Sequence, residues 1–257
     1  MTEIHHLAVV DKQAKIGENV KIGPFCIVGP NVQIGDNCVL ETNVRLDGYT
    51  TIGKNNRFHH SAVVGTACQD LKYKGEPTKL IIGDNNTFRE FVTVNPSATL
   101  DEDTTIGSNC LIMAYCHIAH NCHVGNNVIM ANVATLAGHV TVGDFVTIGG
   151  LSAVHQFVTI GDYTFIGGKS GVKKDVPPYI RGEGMPFKPH GLNSVGLQRR
   201  GFSSESIEKI KQIYKVFYHS KLNVTQALEA IAKMDYLSIE QQNFVEFVKN
   251  SERGIAI

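Results

Sequence analysis

A large apolar residue recurs at every sixth position from Ile16: Ile22, Val28, Ile34, Leu40, Leu46, Ile52, Phe58 and Val64. The series is interrupted at Asp70 and Glu76, resumes at Ile82, and runs through Phe88, Val94, Leu100, Ile106, Ile112 and Ile118 to Val172. Of its 27 positions, 25 are large and apolar, far above what a 42% hydrophobic content gives by chance. An amphipathic helix would repeat at three and four instead. A strict hexad predicts a parallel β-helix, a prism whose short strands stack coil on coil. Three hexads close one coil, so residues 18 apart lie above one another at about the ~4.8 Å spacing of paired strands.

Cys26, Cys38, Cys68, Cys110, Cys116 and Cys122 all lie four residues after a hexad position. That phase is otherwise small (Ala14, Ala62, Val92, Ala98, Ala134, Ser152), so the cysteines read as a second inward rung. Disulfides or a thiolate metal site are the competing reading. The break at "TACQDLKYKGEPTK" predicts a loop extruded near residues 66–79, and "NPSATLDEDT" is polar enough for a second excursion. Beyond Val172 the segment "KKDVPPYIRGEGMPFKPHG" reads as a linker. Ile207, Ile210, Ile213, Tyr214, Phe217 and Tyr218 then repeat at helical spacing, with Ser203 as an N-cap. Asn223 with Gln226 and Ser238 with Gln241 are capping boxes. The expected organisation is a β-helix over 1–187 and a helical domain over 188–257.

Twenty-four basic and 24 acidic residues cancel, which argues against bulk-charge binding of nucleic acid. No apolar run reaches the length of a membrane span, and "MTEIHHLAVVDKQ" lacks the features of a signal peptide. A cytoplasmic protein is expected.

Candidate chemistry gathers at "HIAHNCH", residues 117–123. With Ile118 and Cys122 inward, His117 and His123 point outward, and His120 can face out as well. The 18-residue rule stacks His120, Gly138 and Gln156 on successive coils, with His139 and His155 one residue off the column. An imidazole beside a bare glycine N–H suits base-assisted acyl transfer, in which the N–H holds the oxyanion. A zinc site shared between subunits, built from His117, His123 and a partner histidine, is the competing reading.

Together "HIAHNCHVGNN", "ATLAGHVTVGDF", "AVHQFVTIGDY", "QDLKYKGEPT", "DVPPY" and "GLQRRGF" make the chain resemble the acyl-[acyl-carrier-protein]–UDP-N-acetylglucosamine O-acyltransferases from about Ile16 to Ile257. The resemblance implies a left-handed parallel β-helix with a small C-terminal helical domain, assembled as a homotrimer. It implies transfer of a 3-hydroxyacyl group from acyl carrier protein to the sugar 3-position of UDP-N-acetylglucosamine, the first step of lipid A synthesis. No metal or redox cofactor is implied, because phosphopantetheine arrives on the carrier. His120 matches the general base and Gly138 the oxyanion donor. His117, His139, His155, Gln156 and Arg199 match positioning residues, and Asp70 and Lys72 match a loop that touches the glucosamine. Asn193, Arg199 and Arg200 fit phosphate or uracil contacts, and Gly168 matches the position that limits acyl length. Lys169, Lys173, Lys174 and the two arginines fit docking of an acidic carrier. Asn121 stands where some members have aspartate, Asn95 where histidine is common, and Val195 where an acidic residue is found. A zinc hydratase, a silent trimeric scaffold and an acyltransferase acting on an amino-sugar nucleotide are the alternatives.

Overall fold

The computed structural model describes residues 1–234 and 236–257. Strands of mostly two residues, beginning with Glu3–Ile4, form three sheets of 11, 9 and 8 strands, parallel throughout except for the last strand of the first. They are the three faces of a parallel β-helix, and each coil visits the first, second and third face in turn. In the regular coils the register follows the hexad, with Ile118 beside Leu136 and Leu136 beside Val154 on the second face.

The two breaks are loops between coils. Ile52 pairs with Ile82 and Val94 with Ile118, separations of 30 and 24 instead of the regular 18. Each excursion therefore adds a whole number of hexads, and this is why the beat returns in phase after both. It also explains Leu100, which keeps the count yet is 67% exposed on the second loop. Cys68 lies on the first loop and is only half-buried, so the rung expected there is absent. The other five cysteines are buried, and all six are free thiols. Each of the buried five donates to a carbonyl of the next coil, as Cys116 does to Ala131 at 3.1 Å and Cys122 to Ala137 at 3.1 Å. Burial pushes the Cys122 thiol up to about 12, so these sulfurs act as small core donors and not as thiolates.

Most corners beyond the first coil are turned by a residue with positive φ. Asparagine, which tolerates the left-handed region, fills many of these positions, among them Asn19, Asn37, Asn55, Asn85, Asn109, Asn121 and Asn127. His139, at φ 59°, is another.

The segment read as a linker is instead structured. Ile180–Glu183 extends the first face, and Lys188–Leu192 turns back on it antiparallel. Its Pro and Gly residues shape a hairpin whose Ile180 and Phe187 are buried. The helical domain then begins with α1 (Ser194–Arg199), which straddles the "GLQRR" motif, followed by α2 (Ser204–His219), α3 (Val224–Ala232) and α4 (Ile239–Lys249). Ser203 caps α2, and both expected capping boxes are formed. Among the described residues no helix is long and apolar enough to cross a membrane.

Candidate active site

The corner between the second and third faces carries the histidine column. His120 follows the strand His117–Ile118, and Gly138 follows Thr135–Leu136 one coil on. The imidazole lies directly against the glycine. A Cβ at position 138 would sit 2.5 Å from His120 Cε1 and 2.6 Å from Nε2, closer than real Cβ atoms come, so only glycine accommodates this ring.

The Gly138 N–H has no acceptor among the described residues. At the corner between the third and first faces the equivalent N–H groups are capped. Lys54, Ser108, Asn126 and Asp144 donate to the side-chain oxygens of Asp84, Asn126, Asp144 and Asp162 one coil on. Corner N–H groups in this phase thus attract anionic or strongly polar oxygens. Gly138 keeps that capacity free, and it sits directly beside an imidazole.

Around this pair, His139 packs edge-on to His120, with ring centroids 5.2 Å apart, and stacks on Phe157 at 4.6 Å. His117 Nδ1 meets Thr93 Oγ1 at 2.7 Å, and desolvation, then the neighbouring His120, hold its pKa below the ordinary histidine value. The first extruded loop folds back here. Asp70 Oδ2 comes 3.8 Å from His120 Nε2, while exposed Lys72 donates its backbone N–H to Asp70 Oδ1. Asn95 donates to the Thr66 and Ala67 carbonyls and so anchors the base of that loop. Gln156 is exposed at the next coil, and His155 Nδ1 lies 3.2 Å from Arg253 of the C-terminal segment.

The remaining candidates lie on other corners. Gly168 stacks over Gly150 between the first and second faces, where a Cβ would meet only Gly150 backbone, its carbonyl oxygen at 3.3 Å and its nitrogen at 3.9 Å. Asn193, Arg199 and Arg200 line a cavity of about 790 Å³ beside Phe145, Tyr163 and Val195, at the corner between the third and first faces. The Arg200 guanidinium lies 4.7 Å over the Phe145 ring. Asn193 also caps α1, accepting from Gly196 N–H and donating to the Tyr163 carbonyl. Within one chain, then, His120, Gly138, His117, His139 and Asp70 come together, with Gln156 and His155 on the coil above. Gly168 and the arginine cavity do not join them.

His117 and His123 do not converge on a shared point. His123 instead bonds Thr105 through Nδ1 and Glu102 through Nε2. Glu102, on the second extruded loop, is the site residue that sequence reasoning missed. Its neighbours in "LDEDT" are equally acidic, and nothing in the hexad says where that loop lies.

A β-helix of hexads bearing an imidazole against a free glycine N–H defines a hexapeptide-repeat transferase. Residues 13–48 and 103–138 match the family model of the bacterial transferase hexapeptide (six repeats), and residues 175–256 match that of UDP N-acetylglucosamine O-acyltransferase, domain 2. The chain is 50% identical to the acyl-[acyl-carrier-protein]–UDP-N-acetylglucosamine O-acyltransferase of Akkermansia muciniphila and 46% identical to that of Halorhodospira halophila, over 99% of each chain. It superposes on the UDP-N-acetylglucosamine acyltransferase of Bacteroides fragilis with a TM-score of 0.95 at 41% identity, covering 99% of this chain and 100% of the other. The chain belongs to the acyl-[acyl-carrier-protein]–UDP-N-acetylglucosamine O-acyltransferase family. This membership replaces the hydratase and scaffold readings.

Proposed function

We propose that the protein transfers a 3-hydroxyacyl group from acyl carrier protein to the 3-hydroxyl of UDP-N-acetylglucosamine, with His120 as general base. The observation that carries the reading is the imidazole packed on Gly138 beside its unpaired N–H. His120 Nε2 takes the proton of the sugar hydroxyl as its oxygen attacks the thioester carbonyl carbon. The Gly138 N–H donates to the resulting oxyanion. Collapse of the tetrahedral intermediate breaks the C–S bond, and the imidazolium returns its proton to the leaving phosphopantetheine sulfur. Asp70 and Lys72 hold the glucosamine from the loop side, with His117, His139, His155 and Gln156 shaping the pocket. Release of carrier thiol with and without the sugar nucleotide tests the pairing of donor and acceptor. Release independent of the nucleotide would mark a thioester hydrolase.

The placement of candidates on three corners favours a homotrimer with sites between subunits. A second feature supports this: Phe91, Tyr115, Val133 and Leu151 form an exposed apolar column at the corner between the first and second faces. Such a stripe is a candidate for burial against a second copy. In the trimer the arginine cavity of one subunit receives the uridine diphosphate of a sugar held at its neighbour's His120. Lys169, Lys173, Lys174, Arg199 and Arg200 guide the acidic carrier. Co-refolding a His120→Ala chain with an Arg200→Ala chain therefore restores activity in mixed trimers, although each alone is impaired. Sites confined to one subunit would give no such recovery.

Gly168 sets the acyl length in this reading, because Gly150 and Gly168 leave a strip free of side chains on successive coils. Gly168→Met fills that strip, and each methylene denied burial costs about 0.8 kcal/mol. Preference shifts to donors several carbons shorter, with activity on those retained. Competition between short and long hydroxyacyl carriers reads the effect. An unchanged kcat/KM ratio would place the chain elsewhere.

A further inference from the structure

The inner nitrogen of His120 ends on an amide. Nδ1 lies 2.9 Å from Asn121 Oδ1, and Asn121 is fully buried at the corner. Every polar atom of this side chain is engaged by the second extruded loop. Oδ1 also accepts the Ala98 backbone N–H at 3.0 Å. Nδ2 faces Ser97 Oγ at 2.7 Å, Thr99 Oγ1 at 3.1 Å and Glu102 Oε2 at 3.0 Å.

A peptide N–H can only donate and an ionised carboxylate can only accept. With Ala98 on one side and Glu102 on the other, the amide cannot flip. Its oxygen faces His120, so Nδ1 carries the ring proton and the lone pair is on Nε2, the nitrogen beside Gly138. An aspartate at 121 would impose that tautomer through its charge. An asparagine imposes it only while its orientation is held.

We propose that Glu102 is a positioning residue for His120. Acting through the Asn121 amide, its carboxylate fixes the imidazole tautomer and supplies, one group removed, the negative charge that favours the imidazolium formed during transfer. This rests on His120 being the base. The same carboxylate is gripped by His123 Nε2 at 2.7 Å and approached by His139 Nδ1 at 3.4 Å. Asp101, the preceding residue, is held below its ordinary value first by hydrogen bonding to Thr99 and only least by His139. Desolvation raises the Glu102 carboxyl, but the hydrogen bonds from His123 and Asn121 outweigh it and hold the group below its ordinary value. It is therefore ionised at neutral pH.

The test moves the charge one position along the relay. Glu102→Gln lowers kcat about tenfold, with KM for the sugar nucleotide within about twofold and the thermal midpoint unchanged. Asn121→Asp alone sets two carboxylates against each other and loses at least as much. The double variant puts a single carboxylate directly on Nδ1 with an amide behind it, so kcat returns to within about threefold of the parent, a coupling no independent pair of lesions gives. A Glu102→Gln enzyme with parental kcat, or a double variant in which the two losses multiply, would overturn the proposal. So would a Glu102→Gln loss of equal size in the His120→Ala background, since that loss would not pass through the imidazole. Full turnover by His120→Ala itself is a different failure, that of the base assignment.

Discussion

Replacing His120 by alanine lowers kcat by at least ~10²-fold, about 2.7 kcal/mol of barrier, and leaves the protein folded. The magnitude follows from the role. Without the imidazole no neighbouring group accepts the sugar proton in the same place, because the Asp70 carboxylate stands 3.8 Å from the position of Nε2, beyond hydrogen-bond reach of it. The fold survives because the ring contributes nothing to the prism interior, which is filled by Ile118 and Cys122 on either side of it. Among the described residues the ring's one direct hydrogen bond is to Asn121, whose amide keeps its partners on the second loop. Steady-state rates with purified enzyme, alongside a thermal melt, check the effect. Turnover near the parental value would sink the base assignment.

Gly138→Ala is expected to be nearly as damaging, with a single added methyl group. The new Cβ meets His120 Cε1 at 2.5 Å, and a side-chain ring yields more readily than backbone. The imidazole is pushed off the corner while the coil stays intact. A displacement of about 1 Å at a reacting group can cost ~10²-fold, and the same methyl crowds the N–H that receives the oxyanion. Once the ring is removed its displacement has nothing to act on, so only the crowding of the N–H survives in combination and the losses do not fully multiply. His120→Ala with Gly138→Ala should fall only slightly below His120→Ala alone. Comparing kcat for the three variants decides it. A fully multiplicative double variant would mean that Gly138 acts apart from the imidazole.

The prism and its column were legible in the sequence because both follow from counting. Inward positions must be apolar every six residues, and stacking every 18 places Gly138 above His120 regardless of what surrounds them. The hairpin at Ile180–Glu183 and Lys188–Leu192 was not legible. Antiparallel pairing abandons the hexad, and the prolines and glycines that shape its turn are also those of a linker. Cys68 shows the converse error: it keeps the count while its backbone has already left the prism. The two loops explain what else was missed at the site. Their lengths are whole hexads, so the count passes through them without recording where they go. Asp70 entered only through family resemblance, and Glu102 not at all. Their proximity to His120 is a property of loop paths that no periodicity encodes.

The measurement that bears most directly on the account is identification of the product. Purified enzyme is incubated with UDP-N-acetylglucosamine and a ladder of 3-hydroxyacyl carrier proteins, and the nucleotide fraction is analysed by mass spectrometry and proton NMR. The account predicts one hydroxyacyl group joined as an ester at the sugar 3-oxygen, formed by the parent enzyme and almost absent with His120→Ala. An acyl group on nitrogen, or free hydroxy acid with the sugar nucleotide unmodified, would contradict it.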